Sequence, residues 1–173
     1  NVWEGRLEAK YQERAPRVMQ VDGEERWVFE KRKLVNVGLA AMAGKKYEDY
    51  TPAALRFSDM LPGCYDPKER LLDMDRDGVE AQILFPSAPG MAGQVFAEAD
   101  DKDLALRCMQ AYNDWFADSW CAVDPKRLIG QVIVPFWDMD LAVKELKRGI
   151  GLGHKALSLP NDPASMGYPA LAR

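Results

Sequence analysis

After Gly63 the chain reads as three helix-then-strand units in a row, and each strand runs into a proline. The junctions are Phe85-Pro86, Val134-Pro135 and Leu159-Pro160. The strand segments, 79–85 (VEAQILF), 128–134 (LIGQVIV) and 155–159 (KALSL), are short, apolar and rich in branched residues. That is the pattern of strands covered on both faces. Strict alternation of helix and strand demands a parallel sheet with right-handed crossovers. Three strands cannot close a barrel. With 173 residues the chain also falls short of the roughly 250 of a closed eight-stranded one. The sheet is therefore open, or the chain is a piece of something larger.

Helix signals support the three units. Asp66-Pro67-Lys68-Glu69 supplies an N-cap, a first-turn proline and an early acid, and Gly78 supplies a stop. Residues 101–123 carry Leu104, Cys108, Tyr112, Trp115 and Phe116 at helical spacing, with Pro125 just beyond. A Gly-rich loop and short apolar patch, 89–99, precede them. Asp138 or Asp140 caps a third helix with Ala142, Val143, Leu146 and Ile150 on one face, ended by Gly151 and Gly153. Residues 163–173 read as loop and the start of another helix.

The first stretch has a different grammar. Residues 6–14 (RLEAKYQER) read as a short polar helix stopped before Pro16. Residues 17–21 and 26–30 read as two strands of a hairpin joined at Asp22-Gly23. Residues 31–63 lack a clear period and read as an irregular lid or insertion. The expected division is an N-terminal extension, 1–63, on barrel-like units, 64–173, within one domain truncated at both ends.

Composition narrows the function. With 47% hydrophobic and 29% charged residues the chain is globular, and its net charge of −4 without a basic stripe argues against nucleic acid. No apolar run approaches the roughly 20 residues of a membrane span. No signal peptide is visible at the start, which also lacks an initiator Met. Three cysteines, Cys64, Cys108 and Cys121, without a CxxC spacing suit buried thiols in reducing cytoplasm. The single histidine, His154, lies at the N-terminal end of its strand, the end that serves stability, so a structural role is expected of it. Asp73, Asp75 and Asp77 do not share one helix face, and they read as a solvated run.

Three segments carry a resemblance. They are Leu71 to Ser87 (LLDMDRDGVEAQILFPS), Tyr112-Asn113-Asp114-Trp115 followed by Asp124-Pro125-Lys126-Arg127-Leu128-Ile129-Gly130, and Ala142 to Arg148 leading into Gly153-His154-Lys155-Ala156. In this order they resemble the amidohydrolase-related family, which includes aminocarboxymuconate-semialdehyde decarboxylase. Trp3 to Val18 resembles the region after that family's first strand. The resemblance implies an α/β fold, part of a TIM (β/α)8 barrel with an N-terminal insertion. It implies a divalent metal, zinc first, that activates water against a C–N or C–C bond of a small carboxylate- or aromatic-bearing substrate. Decarboxylation on the same metal site is the alternative, and a non-catalytic α/β binding module remains if the chain is complete. The family's His-x-His would fall before Asn1, and its further His and Asp after Arg173. No metal ligand and no general acid or base is carried over to this chain. A homo-oligomer is compatible with the family.

In such a barrel the residues just past each strand form the catalytic face. Phe85, Phe136 and Trp137 would wall an apolar or aromatic substrate, and Ser87 and Asn161 are placed to donate hydrogen bonds to a carboxylate or carbonyl. The same positions serve equally as core aromatics and helix caps.

Overall fold

A computed structural model describes residues 2–36, 42–51, 56–164 and 167–168. A single helical turn, α1 (Ala9–Gln12), replaces the longer helix expected over 6–14. Strands β1 (Arg17–Val21) and β2 (Glu24–Phe29) form the expected antiparallel hairpin, with Val21 opposite Glu24. Asp22 and Gly23 lie at φ 55° and 82°, the left-handed pair of the two-residue turn that matches strand twist.

A third strand, β3 (Arg32–Asn36), corrects the irregular reading of 31–63. It pairs with β2, Phe29 facing Arg32, across a second two-residue turn at Glu30-Lys31. Those residues take φ 48° and 65° without any glycine, so the turn carries no sequence signal. The rest of that segment's described residues include the 3-10 turns Tyr47–Asp49, Phe57–Asp59 and Pro62–Cys64.

Helix α2 (Pro67–Asp77) begins on the Asp66 carboxylate, which accepts from the Lys68 N–H at 2.8 Å, and ends at Gly78 in the left-handed region. Strand β4 (Gln82–Leu84) is shorter than the expected 79–85. The Arg127 guanidinium takes the carbonyls of Val79 and Glu80, both at 2.9 Å, so those residues never join the ladder. After the turn Met91–Gly93 comes α3 (Gln94–Ala97) and then α4 (Lys102–Trp115), capped by Asp101.

The long helix expected to residue 123 changes form after Trp115. Phe116–Trp120 is a π-turn and Cys121–Val123 a 3-10 turn. The i→i+5 pattern brings Phe116 and Cys121, five residues apart, toward the same buried side. Strand β5 (Leu128–Ile133) follows, then α5 (Met139–Leu152), capped by Asp138 and ended by Gly153; Gly151 lies inside the helix rather than ending it. Strand β6 (Ala156–Ser158) completes a parallel sheet in the order β4-β5-β6. The α/β alternation and parallel sense match the reading of the three units. No helix among the described residues is long and apolar enough to cross a membrane.

The core gathers on α4. Leu104, Cys108 and Met109 are fully buried with Phe96, Leu128 and Ile133. Gly149 lets α5 approach the sheet: a Cβ there would sit 2.5 Å from Val132 Cγ2, too close without displacement.

Polar groups lock the two long helices to β5. Asn113 is fully buried, and its amide both accepts from the Ile133 N–H (3.1 Å) and donates to the Ile133 carbonyl (2.9 Å), as a neighbouring strand would. Asn113 Nδ2 also reaches Glu145 Oε1 at 2.7 Å. Glu145, 2% exposed, holds Arg148 through both oxygens at 2.7 and 2.8 Å, and Gln110 at 3.3 Å. Arg148 also pairs with Asp114. A buried carboxylate is tolerable only when paired and hydrogen-bonded, and here it is both.

Candidate active-site face

The C-terminal ends of β4, β5 and β6 carry the residues expected to line a substrate pocket. Beyond β5, Phe136 is 2% exposed. Its ring meets Tyr168 edge-on at 5.3 Å and Trp137 edge-on at 6.2 Å. The Lys102 amine stands 5.4 Å over the Trp137 ring and donates to the carbonyls of Ala97 and Ala99 at 2.6 and 2.7 Å. The structure thus gathers Phe136, Trp137, Tyr168 and Lys102. Phe85 stands apart at the end of β4, 61% exposed. Ser87 and Asn161 are also exposed, and the Ser87 carbonyl accepts from the Gly90 N–H at 3.0 Å.

Tyr168 and Lys102 were not among the expected pocket residues. Tyr168 belongs to the tail, where no periodicity points to it. Lys102 left one faint signal: a cation in the first turn of a helix opposes the helix dipole and needs some other partner. The loop after β4 bends tightly, with Gly90, Ala92 and Gly93 at φ 72°, 56° and 77°. A side chain at Gly93 would crowd Met109 Cε at 3.1 Å. Backbone of this kind clusters near functional ends of folds.

Other candidates fall elsewhere. His154 is buried at the opposite end of the sheet, its Nε2 3.0 Å from the Asn113 carbonyl. Asp73 pairs with Arg76 (2.9 Å) and Asp75 with Arg127 (2.7 Å), so these carboxylates serve surface ion pairs. Among the described residues no group of three or more His, Cys, Asp or Glu side chains is arranged to hold a metal. The described residues do not fit the metal that the resemblance implies. A cavity of about 620 Å³ is lined by residues of β1, β2 and the approach to α4, with none of the strand-end residues. Its polar groups are largely engaged: Glu30 accepts from the Asp100 and Asp101 N–H groups at 2.8 and 3.0 Å, and Arg14 pairs with Asp101 at 2.8 Å.

Burial pushes the Cys108 thiol up to about 12 and the Cys121 thiol up to about 11. The folded chain therefore keeps protons that the unfolded chain releases near its ordinary thiol value of about 8.5. Stability should hold below about pH 8 and fall as pH rises from there toward 11 to 12. Urea melts at pH 7.5, 9 and 10.5 test this. Replacing both cysteines with alanine should flatten the decline, and an equally steep decline would assign it to other groups.

Comparison with known proteins gives this arrangement a context. The family model for amidohydrolases matches residues 15–170. Over 94 residues, 54% of the chain, it is 33% identical to 2-amino-3-carboxymuconate-6-semialdehyde decarboxylase of Dictyostelium discoideum. The crystal structure of an amidohydrolase from Mycobacterium avium subsp. paratuberculosis K-10 superposes with a TM-score of 0.64 over 90% of this chain at 19% identity, a likeness of fold. These matches span 24% of the decarboxylase and 44% of the crystallised chain. With the family model covering nearly its whole length, the chain belongs to the amidohydrolase family.

Proposed function

We propose that this chain forms part of the wall of a metal-dependent amidohydrolase-type enzyme. In that reading β4, β5 and β6 are consecutive strands of a (β/α)8 barrel, and residues 1–63 are its N-terminal extension. The observation that carries it is the parallel order β4-β5-β6 in a chain matched by the family model over residues 15–170. A divalent metal, zinc first, would be held by ligands other than the described residues. The chain would supply the substrate-facing rim. Trp137 and Phe85 would offer apolar surface, Ser87 and Asn161 hydrogen bonds, and Phe136 the buried backing for Trp137. The substrate class is a small molecule bearing a carboxylate or aromatic ring, and the bond broken is C–N or C–C. Decarboxylation is the second reading, favoured by the identity of 33% to a decarboxylase. Buried thiols such as Cys108 and Cys121 suit the reducing cytoplasm.

The test compares the chain with the intact enzyme that contains it. The chain should retain zinc well below one equivalent and turn over nothing. The intact enzyme should hold a divalent metal and lose activity to a chelator. There Trp137→Ala should raise KM for an aromatic substrate about three- to tenfold with a smaller change in kcat, as for a contact that binds ground and transition states alike. Tight, stoichiometric zinc in the chain, or an unchanged KM, would sink this assignment.

A further inference from the structure

The end of the sheet opposite the proposed substrate face holds a second arrangement of ligand-type atoms. His154 is 6% exposed, and its Nε2 lies 3.0 Å from the Asn113 carbonyl oxygen. A carbonyl only accepts, so Nε2 carries the proton and donates. That fixes the tautomer: Nδ1 bears the lone pair. Nδ1 is buried and has no hydrogen-bond partner among the described residues. A donor imidazole held through its other N–H by a backbone carbonyl is the usual posture of a metal-binding histidine.

The lone pair has somewhere to point. His154, Cys121 and Gly130 line a cavity of about 60 Å³. A Cβ at Gly130 would lie 3.1 Å from His154 Nδ1 and 2.9 Å from Cys121 Sγ. Glycine thus leaves free the point where a soft sulfur and an imidazole nitrogen converge. Both atoms lie within 3.1 Å of that one point, and an ion seated between them would draw them in to metal–sulfur and metal–nitrogen bonds of about 2.3 and 2.0 Å.

Charge selects the ion. The other lining residues are Ala117, Pro125, Leu128, Ile129, Leu152, Gly153 and Lys155, with no carboxylate. Lys155 already directs its amine to the Pro125 carbonyl at 2.6 Å. A thiolate and a monovalent cation sum to zero, whereas a divalent ion would leave net positive charge beside Lys155 in an apolar site. Soft thiolate and imidazole ligands select soft d10 ions.

We propose that Cys121 Sγ and His154 Nδ1 form a two-coordinate site for a monovalent soft cation of the copper(I) class. On binding, the Cys121 S–H bond breaks, its proton passes to solvent, and sulfur–metal and nitrogen–metal bonds form with no change of oxidation state. The bound ion would tie the 3-10 turn after α4 to the start of β6.

The chain has one histidine, so its imidazole nitrogens give unambiguous NMR signals. Silver(I), a redox-stable stand-in for copper(I), is titrated into the full 173-residue chain while the ¹⁵N shifts of His154 are followed. One equivalent should move Nδ1 by tens of ppm and leave Nε2 nearly in place. Cys64→Ser should preserve the effect, and Cys121→Ser should abolish it. Cys121→Ala, which keeps the lining apolar, repeats the measurement if serine unsettles the fold. An unmoved Nδ1, a shift that survives loss of Cys121, or zinc(II) competing at equal concentration would each overturn the proposal.

Discussion

Replacing Arg148 with methionine should cost about 3 kcal/mol of stability, read as a drop in urea midpoint at unchanged slope. Glu145 is 2% exposed and receives the guanidinium on both oxygens. Hydrogen bonds donated to Glu145 first, and to Asp114 after it, raise the arginine's pKa further above its already high value. Methionine fills much of the arginine stem's volume but leaves the carboxylate, among the described residues, with Asn113 and Gln110 as donors. Breaking one side of a buried pair costs about 3 to 5 kcal/mol, because the remaining charge is stranded. The arginine side chain is 34% exposed, so water can partly replace it and the lower figure applies. The pair together is a different matter. Changing Glu145 to leucine along with Arg148→Met should recover most of the loss, since apolar replacement of a whole buried pair is often near neutral. Strong non-additivity in this cycle is the signature of the lock. A single variant within about 1 kcal/mol of the parent would show that the carboxylate finds water, and the lock would be dispensable.

The lock also explains what the sequence could and could not reveal. Tyr112-Asn113-Asp114-Trp115 carried part of the family resemblance, yet Asn113 and Asp114 work in packing, not at the substrate face. A motif records that residues are needed in a pattern, and here the need is to fasten α4 to β5 and α5. Helix ends were legible wherever the backbone chemistry is local: Asp66, Asp101 and Asp138 cap as their type predicts. Strand β3 was invisible because its turn uses Glu30 and Lys31 in a conformation usually given to Gly or Asn. Strand β4 was overextended because Arg127, distant in sequence, claims the carbonyls before it. The gathering of Tyr168 and Lys102 around Trp137 and Phe136 was equally out of reach, since no local pattern encodes a contact across 30 or more residues.

Trp3→Ala should be the most damaging single truncation in the N-terminal part, with an expected loss of about 3 to 5 kcal/mol. Trp3 is 2% exposed, stacks edge-on against Trp27 at 5.7 Å and donates its indole N–H to the Cys108 carbonyl at 2.9 Å. It joins β2 to α4, so its loss opens a cavity at that junction. Trp3→Phe separates the contributions. It keeps most of the apolar area and gives up the hydrogen bond, and the Cys108 carbonyl retains its partner within the helix. That variant should lose only about 1 to 2 kcal/mol. The shape of the transition in Trp3→Ala carries more than its size. One cooperative step moved to lower urea would mean that the antiparallel strands and the parallel layer melt as a unit. A new early step, with strand segment 17–36 cut first by protease, would mean that the extension is a separate body pinned by this indole. The second outcome would also require any substrate-face variant in the extension to be tested for folding before its kinetics are interpreted.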